Sequence, residues 1–322
     1  MNTTPRILIH ADNAPDLASL FSERFPDTQM QTCQSNAELR EALPKFAPDV
    51  VYSVRFDNDQ FPTEALMATG GPSWISVGGS GCDHLGKWDT QRVSVTNSAG
   101  VGAAMMAEFV FGCVMHFTLD INGLMQDKSA RVWRGDRMVV PLRGKTILIV
   151  GMGQTGHAVA RRARAFGMHV IATRSRPAPS DDIDEVFAAD DLPSLWPRAD
   201  VICICVPLLP STRGLVDAEA FAAMKPTAIL VDVSRGGVIV PQDAISAMKE
   251  GRIAGAAFDV FHEEPLSKDS PYWDLPDTIL SPHASAVYEG WDIASFEMFM
   301  ENFDSWQRGE ALKRIVDPMR GY

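Results

Sequence analysis

One stretch limits what this chain can fold into more than any other. Residues 146–150 read TILIV, an apolar strand. GMGQTG follows from Gly151 to Gly156, a helical run continues to Phe166, and Gly167 leads into a second apolar strand over 168–173. Strand, glycine turn, helix and strand within about thirty residues form the βαβ unit that binds a dinucleotide. Gly151 allows the tight turn, Gly153 lets the backbone approach a pyrophosphate, and Gly156 lets the helix pack closely on the strand. The start of the helix, at Gln154 and Thr155, then offers free N–H groups to the phosphates.

The end of the second strand bears on which dinucleotide is bound. An acidic side chain roughly twenty residues past the first glycine would bond the ribose 2′-hydroxyl of NAD. Here the chain reads Arg174-Ser175-Arg176. Two guanidiniums and a hydroxyl suit a 2′-phosphate, and no carboxylate stands there to repel it. NADPH is therefore expected over NADH, with NADH still possible.

A chain of 322 residues is long for a single core, so two domains are expected. The net charge of −12 argues against a nucleic-acid partner, which would need a basic face. The start, MNTTPRILIH, lacks a basic segment followed by a long apolar run, and no uncharged apolar stretch is long enough to span a membrane. Five cysteines with no CxxC spacing suggest neither disulfides nor a metal site. Cys203 and Cys205 read as small apolar fillers on one face of the strand VICICV, and a reducing, cytoplasmic compartment is expected.

Residues 1–100 alternate short apolar strands with amphipathic helices, as in a small α/β domain with a parallel sheet. Strands are expected at 6–10, 29–33, 49–54, 74–77 and 93–96, and helices at 16–25 and 36–46, the latter capped by Ser35. Arg55 and the cluster VGGSG at 77–81 lie in loops after strands. The run from Gly102 to Met125 is apolar around most of its circumference, so a helix there needs cover on all sides. Its own domain can supply one side, and a second subunit is the economical cover for the other, although burial wholly within one chain remains open. After the βαβ unit, strands at 200–206, 228–233, 253–260 and 278–280 alternate with helices at 217–224 and 241–249, giving a doubly wound sheet of six or seven strands. The tail beyond about residue 286 reads as a helix with an aromatic stripe, Trp291, Phe296, Phe299, Phe303 and Trp306, that packs back on the first domain.

Three polar positions lie just past strand ends of the second sheet: Arg235 after ILVDVS, an acidic residue at Glu263 or Glu264, and His283 after ILSP. Hydride transfer to or from a secondary alcohol carbon must be matched by a proton on its oxygen, and histidine serves both directions. A carboxylate beside it favours the imidazolium and fixes its tautomer. A guanidinium stabilises charge developing on the oxygen and can hold a substrate carboxylate. The residues alone do not separate Glu263 from Glu264.

Taken together, GMGQTG, VPLLPSTRGLV at 206–216, MKPTAILVDVSRGG at 224–237, and AAFDVFHEEPL through SPHAS at 256–285 resemble the D-isomer-specific 2-hydroxyacid dehydrogenase family. VGGSGCDHL and VTNSAGVGAAMMAEF resemble its N-terminal loops, so the likeness covers nearly the whole chain. The resemblance implies an α/β architecture of two Rossmann-like or flavodoxin-like domains with doubly wound parallel sheets and a cleft between them. The substrate domain would take 1–100 with 286–322, and the dinucleotide domain 101–285. It implies that Arg235 binds substrate, that Glu264, just before Pro265, is the catalytic glutamate, and that His283 is the acid/base. It also places Asp259 near the nicotinamide carboxamide, and Val206, Pro207, Thr212 and Ser234 beside the cofactor. The backbone N–H groups of Gly78, Gly79 and Ser80 would clamp the substrate carboxylate, with Arg55 lining the same pocket.

The chain departs from many members at Arg174, where they carry an aspartate, and in this respect is nearest the NADP-preferring glyoxylate and hydroxypyruvate reductases. The expected activity is NADPH-dependent reduction of a small 2-oxo acid by a homodimer. A bulkier 2-oxo acid is the alternative, with Trp133, Trp291 and Tyr288 shaping an apolar pocket. A dinucleotide-sensing interaction protein, of the co-repressor kind, is another.

Overall fold

A computed structural model describes residues 4–54 and 60–319. The chain divides into two units, Met1–Val101 with Tyr288–Tyr322, and Gly102–Val287.

The first unit contains β1 (Arg6–His10), α1 (Ala14–Arg24), β2 (Gln29–Cys33), α2 (Asn36–Phe46), β3 (Val50–Ser53), α3 (Thr63–Met67), β4 (Trp74–Val77) and β5 (Ser94–Asn97). All strand pairs are parallel, in the order β2-β1-β3-β4-β5. Alternate side chains of these strands enter opposite cores, as a pleated strand requires. Ile7, Ile9, Val50, Tyr52 and Trp74 face one side, with Leu17 and Phe21 of α1. Leu8, Val51, Ile75 and Val95 face the other, with Leu39 and Leu43 of α2. Ser35 accepts from the Glu38 amide and caps α2.

The second unit contains α4 (Ala103–Thr118), α5 (Ile121–Ala130), β6 (Thr146–Val150), α6 (Gln154–Ala165), β7 (His169–Thr173), β8 (Glu185–Phe187), α7 (Leu192–Leu195), β9 (Val201–Ile204), α8 (Ala218–Ala223), β10 (Ile229–Asp232), α9 (Pro241–Lys249), β11 (Gly255–Phe258) and β12 (Thr278–Leu280). Its seven parallel strands run β12-β11-β10-β9-β6-β7-β8, so the order reverses beside β6, the crevice position for a dinucleotide. One face is covered by α4 and α6 through Val110, Phe111, Val159 and Ala163. The other is covered by α8 and α9 through Phe221, Ala244 and Met248.

The last helix, α10 (Trp291–Gln307), belongs to the first unit. Phe296, Phe299 and Phe303 are fully buried there against Phe21, Tyr52 and Trp74. Burying such aromatic side chains contributes about 2–3 kcal/mol each, which gives the tail a packing reason to return to the sheet where the chain began.

The structure changes one expectation for 102–125. The helix breaks at Asp120, which adopts φ 51°, accepts from the Gly123 amide and caps α5. Only one face of α4 is buried, and no residue of α5 is. Exposed apolar side chains cluster from Leu119 to Val140 and include Leu124, Met125, Trp133 and Met138. No single helix among the described residues is long and apolar enough to cross a membrane.

Candidate active site

The dinucleotide turn is built from three glycines, each with a physical reason. Gly151 has φ 106°, and a Cβ there would also press on Val206 and the Cys205 carbonyl. A Cβ on Gly156 would collide with the Gly151 carbonyl oxygen, so glycine is what allows α6 to sit against the end of β6. Nothing lies within 4 Å of the corresponding position on Gly153, leaving its backbone open. No side chain caps α6, and the first turn thus presents backbone donors to an anion. The Thr155 hydroxyl points instead at the Met106 sulfur, 3.5 Å away, so its N–H is the group available to phosphate. Cys205 is more than a filler: it is only half-buried, and its thiol donates to the Gly151 carbonyl at 3.0 Å.

At the end of β7, the Arg174 amide bonds to the Phe187 carbonyl of β8, while its side chain is half-buried. Ser175 and Arg176 are exposed. Among the described residues, neither arginine is held in an ion pair, so both guanidiniums are available to a phosphate. In the next loop Val206 and Pro207 are half-buried. Thr212 donates to the Pro207 carbonyl at 2.6 Å and accepts from the Leu209 amide at 2.8 Å. Its hydroxyl closes that loop, and its contribution to a cofactor would be through loop shape.

The loop after β10 is folded by a carboxylate that sequence reading passed over. Asp232 is buried, and its Oδ1 accepts from both the backbone and the hydroxyl of Ser234. Ser234 therefore turns inward, and its carbonyl accepts from Nη1 of Arg235 at 2.7 Å. A Cβ on Gly236 would collide with the Phe261 carbonyl, so glycine is what lets this loop lie on the one carrying Glu264. Burial pushes the Asp232 carboxyl up to about 7 against the opposing bonds from Ser234, and the charge of Asp259 adds to the rise.

Asp259, at the end of β11, is also buried and holds the segment that carries the histidine. Its Oδ1 accepts from the amides of Ala284 at 2.8 Å and Ser285 at 3.1 Å, and Oδ2 accepts from the Ser285 hydroxyl. The His283 amide donates to the Asp259 carbonyl at 2.8 Å, and His283 adopts φ 56°. These bonds over-determine a left-handed backbone that a histidine would not hold unaided.

His283 Nδ1 lies 2.8 Å from Oε2 of Glu264, whose Oε1 accepts from the Phe261 amide at 2.8 Å. Burial alone would raise the Glu264 carboxyl. The bonds to His283 and Phe261, with the charges of His283 and Arg235, outweigh it and hold the carboxyl below its ordinary range. The pairing falls on Glu264, not Glu263. Three separate loops of one sheet edge thus bring together a guanidinium, a carboxylate and an imidazole whose Nε2 is the nitrogen left to face a substrate.

In the first unit the glycine loop follows β4. The Gly78 amide, expected as a carboxylate donor, is bonded to the Ser53 carbonyl at 2.9 Å. The amides of Gly79 and Ser80 make no bond among the described residues. Arg55 lies outside the described residues. Of the side chains expected to wall a larger pocket, Trp291 is packed in the core of its unit, Tyr288 reaches the Val101 carbonyl at 3.4 Å, and Trp133 is 97% exposed. No group of three or more His, Cys, Asp or Glu that could hold a metal ion occurs among the described residues.

The doubly wound sheet, the glycine turn at its switch point and the polar set at the same strand ends define a dinucleotide-binding oxidoreductase. Residues 111–285 match the family model described as D-isomer specific 2-hydroxyacid dehydrogenase, NAD binding domain. The chain is 31% identical over 318 residues to a glyoxylate reductase of Korarchaeum cryptofilum, covering 95% of this chain and 88% of that one. It is 32% identical to the glyoxylate/hydroxypyruvate reductase B of Klebsiella pneumoniae, covering 94% and 89%. Among solved structures, a D-isomer specific 2-hydroxyacid dehydrogenase family protein of Aeromonas salmonicida superposes with a TM-score of 0.86 at 25% identity, covering 98% of this chain and all of that one. The chain belongs to the D-isomer specific 2-hydroxyacid dehydrogenase family, and its second unit is a nicotinamide-dinucleotide-binding domain.

Proposed function

We propose that this protein reduces a small 2-oxo acid, glyoxylate or hydroxypyruvate, to the 2-hydroxy acid, with NADPH preferred over NADH. The observation that carries the reading is the 2.8 Å pairing of His283 Nδ1 with Glu264, in which Nδ1–H donates to the carboxylate and Nε2 is left to take up and release the transferred proton. Gly151, Gly153 and the first turn of α6 would hold the pyrophosphate, and Arg174, Ser175 and Arg176 the 2′-phosphate. Bound NADPH supplies the hydride that the carbonyl carbon accepts. His283 gives its Nε2 proton to the carbonyl oxygen, completing the alcohol, and Glu264 holds the ring in the required tautomer. Arg235 faces the charge that gathers on that oxygen and one end of the carboxylate. The amides of Gly79 and Ser80 take the carboxylate.

The names of the relatives from Korarchaeum and Klebsiella support the substrate class. The side chains expected to wall a pocket for a bulkier acid include one committed to the core, Trp291, which favours the smaller substrate. We further propose a homodimer formed through α4, α5 and the apolar segment after them, and a cytoplasmic location in keeping with five free thiols. The test is oxidation of NADPH in the presence of glyoxylate or hydroxypyruvate. Turnover supports the reading, and its absence in protein that binds NADPH refutes it in favour of dinucleotide sensing.

A further inference from the structure

The glycine loop of the first unit is fastened at three successive carbonyls. The Gly78 carbonyl accepts from the Ser295 hydroxyl at 2.6 Å, that of Gly79 from the Ser98 amide at 3.0 Å, and that of Ser80 from the Asn97 side-chain amide at 2.7 Å. The Gly78 amide is tied to the Ser53 carbonyl. With these groups held, the peptide planes of Gly79 and Ser80 have little freedom to turn, and their N–H groups are the donors left over.

Ser295 is the hub of this arrangement. It sits in α10, far along the chain, and is fully buried. Its single hydroxyl proton goes to Gly78, so its oxygen must act as acceptor toward the Tyr52 and Ser98 hydroxyls, each 3.0 Å away. Burial pushes the Tyr52 phenol well above its ordinary value, so it keeps its proton and remains a donor at any working pH. There is little slack: a Cβ on Gly78 would collide with Val54 and Tyr52 and press on Ser295. The Ser98 hydroxyl also lies 3.5 Å from the Val77 carbonyl and 3.4 Å from that of Ser295, whereas turning the Ser295 hydroxyl away would leave the buried Gly78 carbonyl without this donor.

We infer that Ser295 is a positioning residue: through the Gly78 carbonyl, which shares its peptide plane with the Gly79 N–H, it presets the Gly79 amide as a donor for the substrate carboxylate, beside the Ser80 amide that the Ser98 bond to the Gly79 carbonyl holds. This rests on the reading of the protein as a 2-oxo acid reductase that uses those amides. The terminal helix then tunes substrate binding without touching the reacting atoms.

The test compares full-length wild type, Ser295→Ala and Tyr52→Phe in NADPH-dependent reduction of glyoxylate, with oxamate as a competitive carboxylate probe. Ser295→Ala is expected to raise the KM for glyoxylate and the Ki for oxamate about tenfold, and Tyr52→Phe about threefold, with the KM for NADPH unchanged. A purely structural role would instead reduce the active fraction and leave both constants alone. A folded Ser295→Ala enzyme with wild-type glyoxylate KM overturns the inference while the functional reading stands. Should Ser295→Ala fail to fold, an unchanged KM in Tyr52→Phe overturns it equally. A wild type that turns over no 2-oxo acid defeats the functional reading itself, and the positioning role with it.

Discussion

Glu264 holds Nδ1 of His283 at 2.8 Å with one carboxylate oxygen while the other accepts from the Phe261 amide. Both oxygens are therefore used, and the carboxylate cannot swing without losing a bond to its own loop. Glu264→Gln keeps the shape but leaves one oxygen for two partners, and its amide would face a donor. Turnover is expected to fall about 10²-fold or more, with the KM for NADPH little changed. Steady-state kinetics of the variant with glyoxylate check this, and an unaltered turnover would remove the pair from the mechanism.

Asp232 gives a pH signature. Its carboxyl is raised to about 7 in the folded protein by burial, from an unfolded value of about 3.9. The folded state thus binds the proton more tightly, and this contribution to stability is complete below the unfolded value and is lost as pH rises towards about 7. The loss amounts to a few kcal/mol at most. The groups facing it are Ser234 and Arg235 in its own loop, Asp259 from β11, Cys203 from β9 and Tyr272. In Asp232→Asn the decline of Tm between about pH 5 and 8 is expected to flatten. Equal slopes in variant and wild type would show that Asp232 does not titrate in this range.

Arg174 is half-buried at the end of β7, where a carboxylate would select NAD. A charge-assisted bond to a 2′-phosphate contributes roughly 1.5–3 kcal/mol, so Arg174→Asp is expected to lower the NADPH/NADH ratio of kcat/KM by about ten- to a hundredfold. An unchanged ratio would assign the preference elsewhere.

The exposed apolar segment from Leu119 to Val140 bears on assembly. Leu124, Met125, Trp133 and Met138 are all exposed within one short stretch of chain, and exposed apolar side chains in such number mark a surface that association can cover. Sedimentation is expected to give a dimer for the wild type and a shift towards monomer for Leu124→Glu combined with Met125→Glu. A monomeric wild type would refute the proposed assembly.

The parts legible in sequence were those in which a local pattern carries the physics. GMGQTG fixes its turn through glycines whose missing Cβ atoms are needed within the same short segment. The central strands of both sheets, such as β3 and β9, are buried on two faces and stand out as short apolar runs. Asp49 and Asp200 stand at the strand starts, where their amides donate to the Arg6 and Thr146 carbonyls and their carboxylates accept from the Arg6 and Thr146 amides of the neighbouring strands. The edge strand β8 escaped notice because Glu185–Phe187 is short, half-buried and embedded in an acidic segment. Arg235, Glu264 and His283 could be found because each follows a recognisable strand. Asp232 left only a faint signal, a carboxylate two residues before a serine at a strand end. The network of Tyr52, Ser98 and Ser295 left none, because it joins elements up to 243 residues apart and is made by tertiary packing alone.

The measurement that tests the central claim most directly is loss of NADPH absorbance on adding glyoxylate or hydroxypyruvate, run side by side for wild type and His283→Ala. The account predicts rapid oxidation by the wild type, faster than with NADH, and a rate about 10²–10⁴-fold lower for His283→Ala. Wild type that binds NADPH but oxidises it with neither acid, or a His283→Ala enzyme that works as fast as wild type, would contradict it.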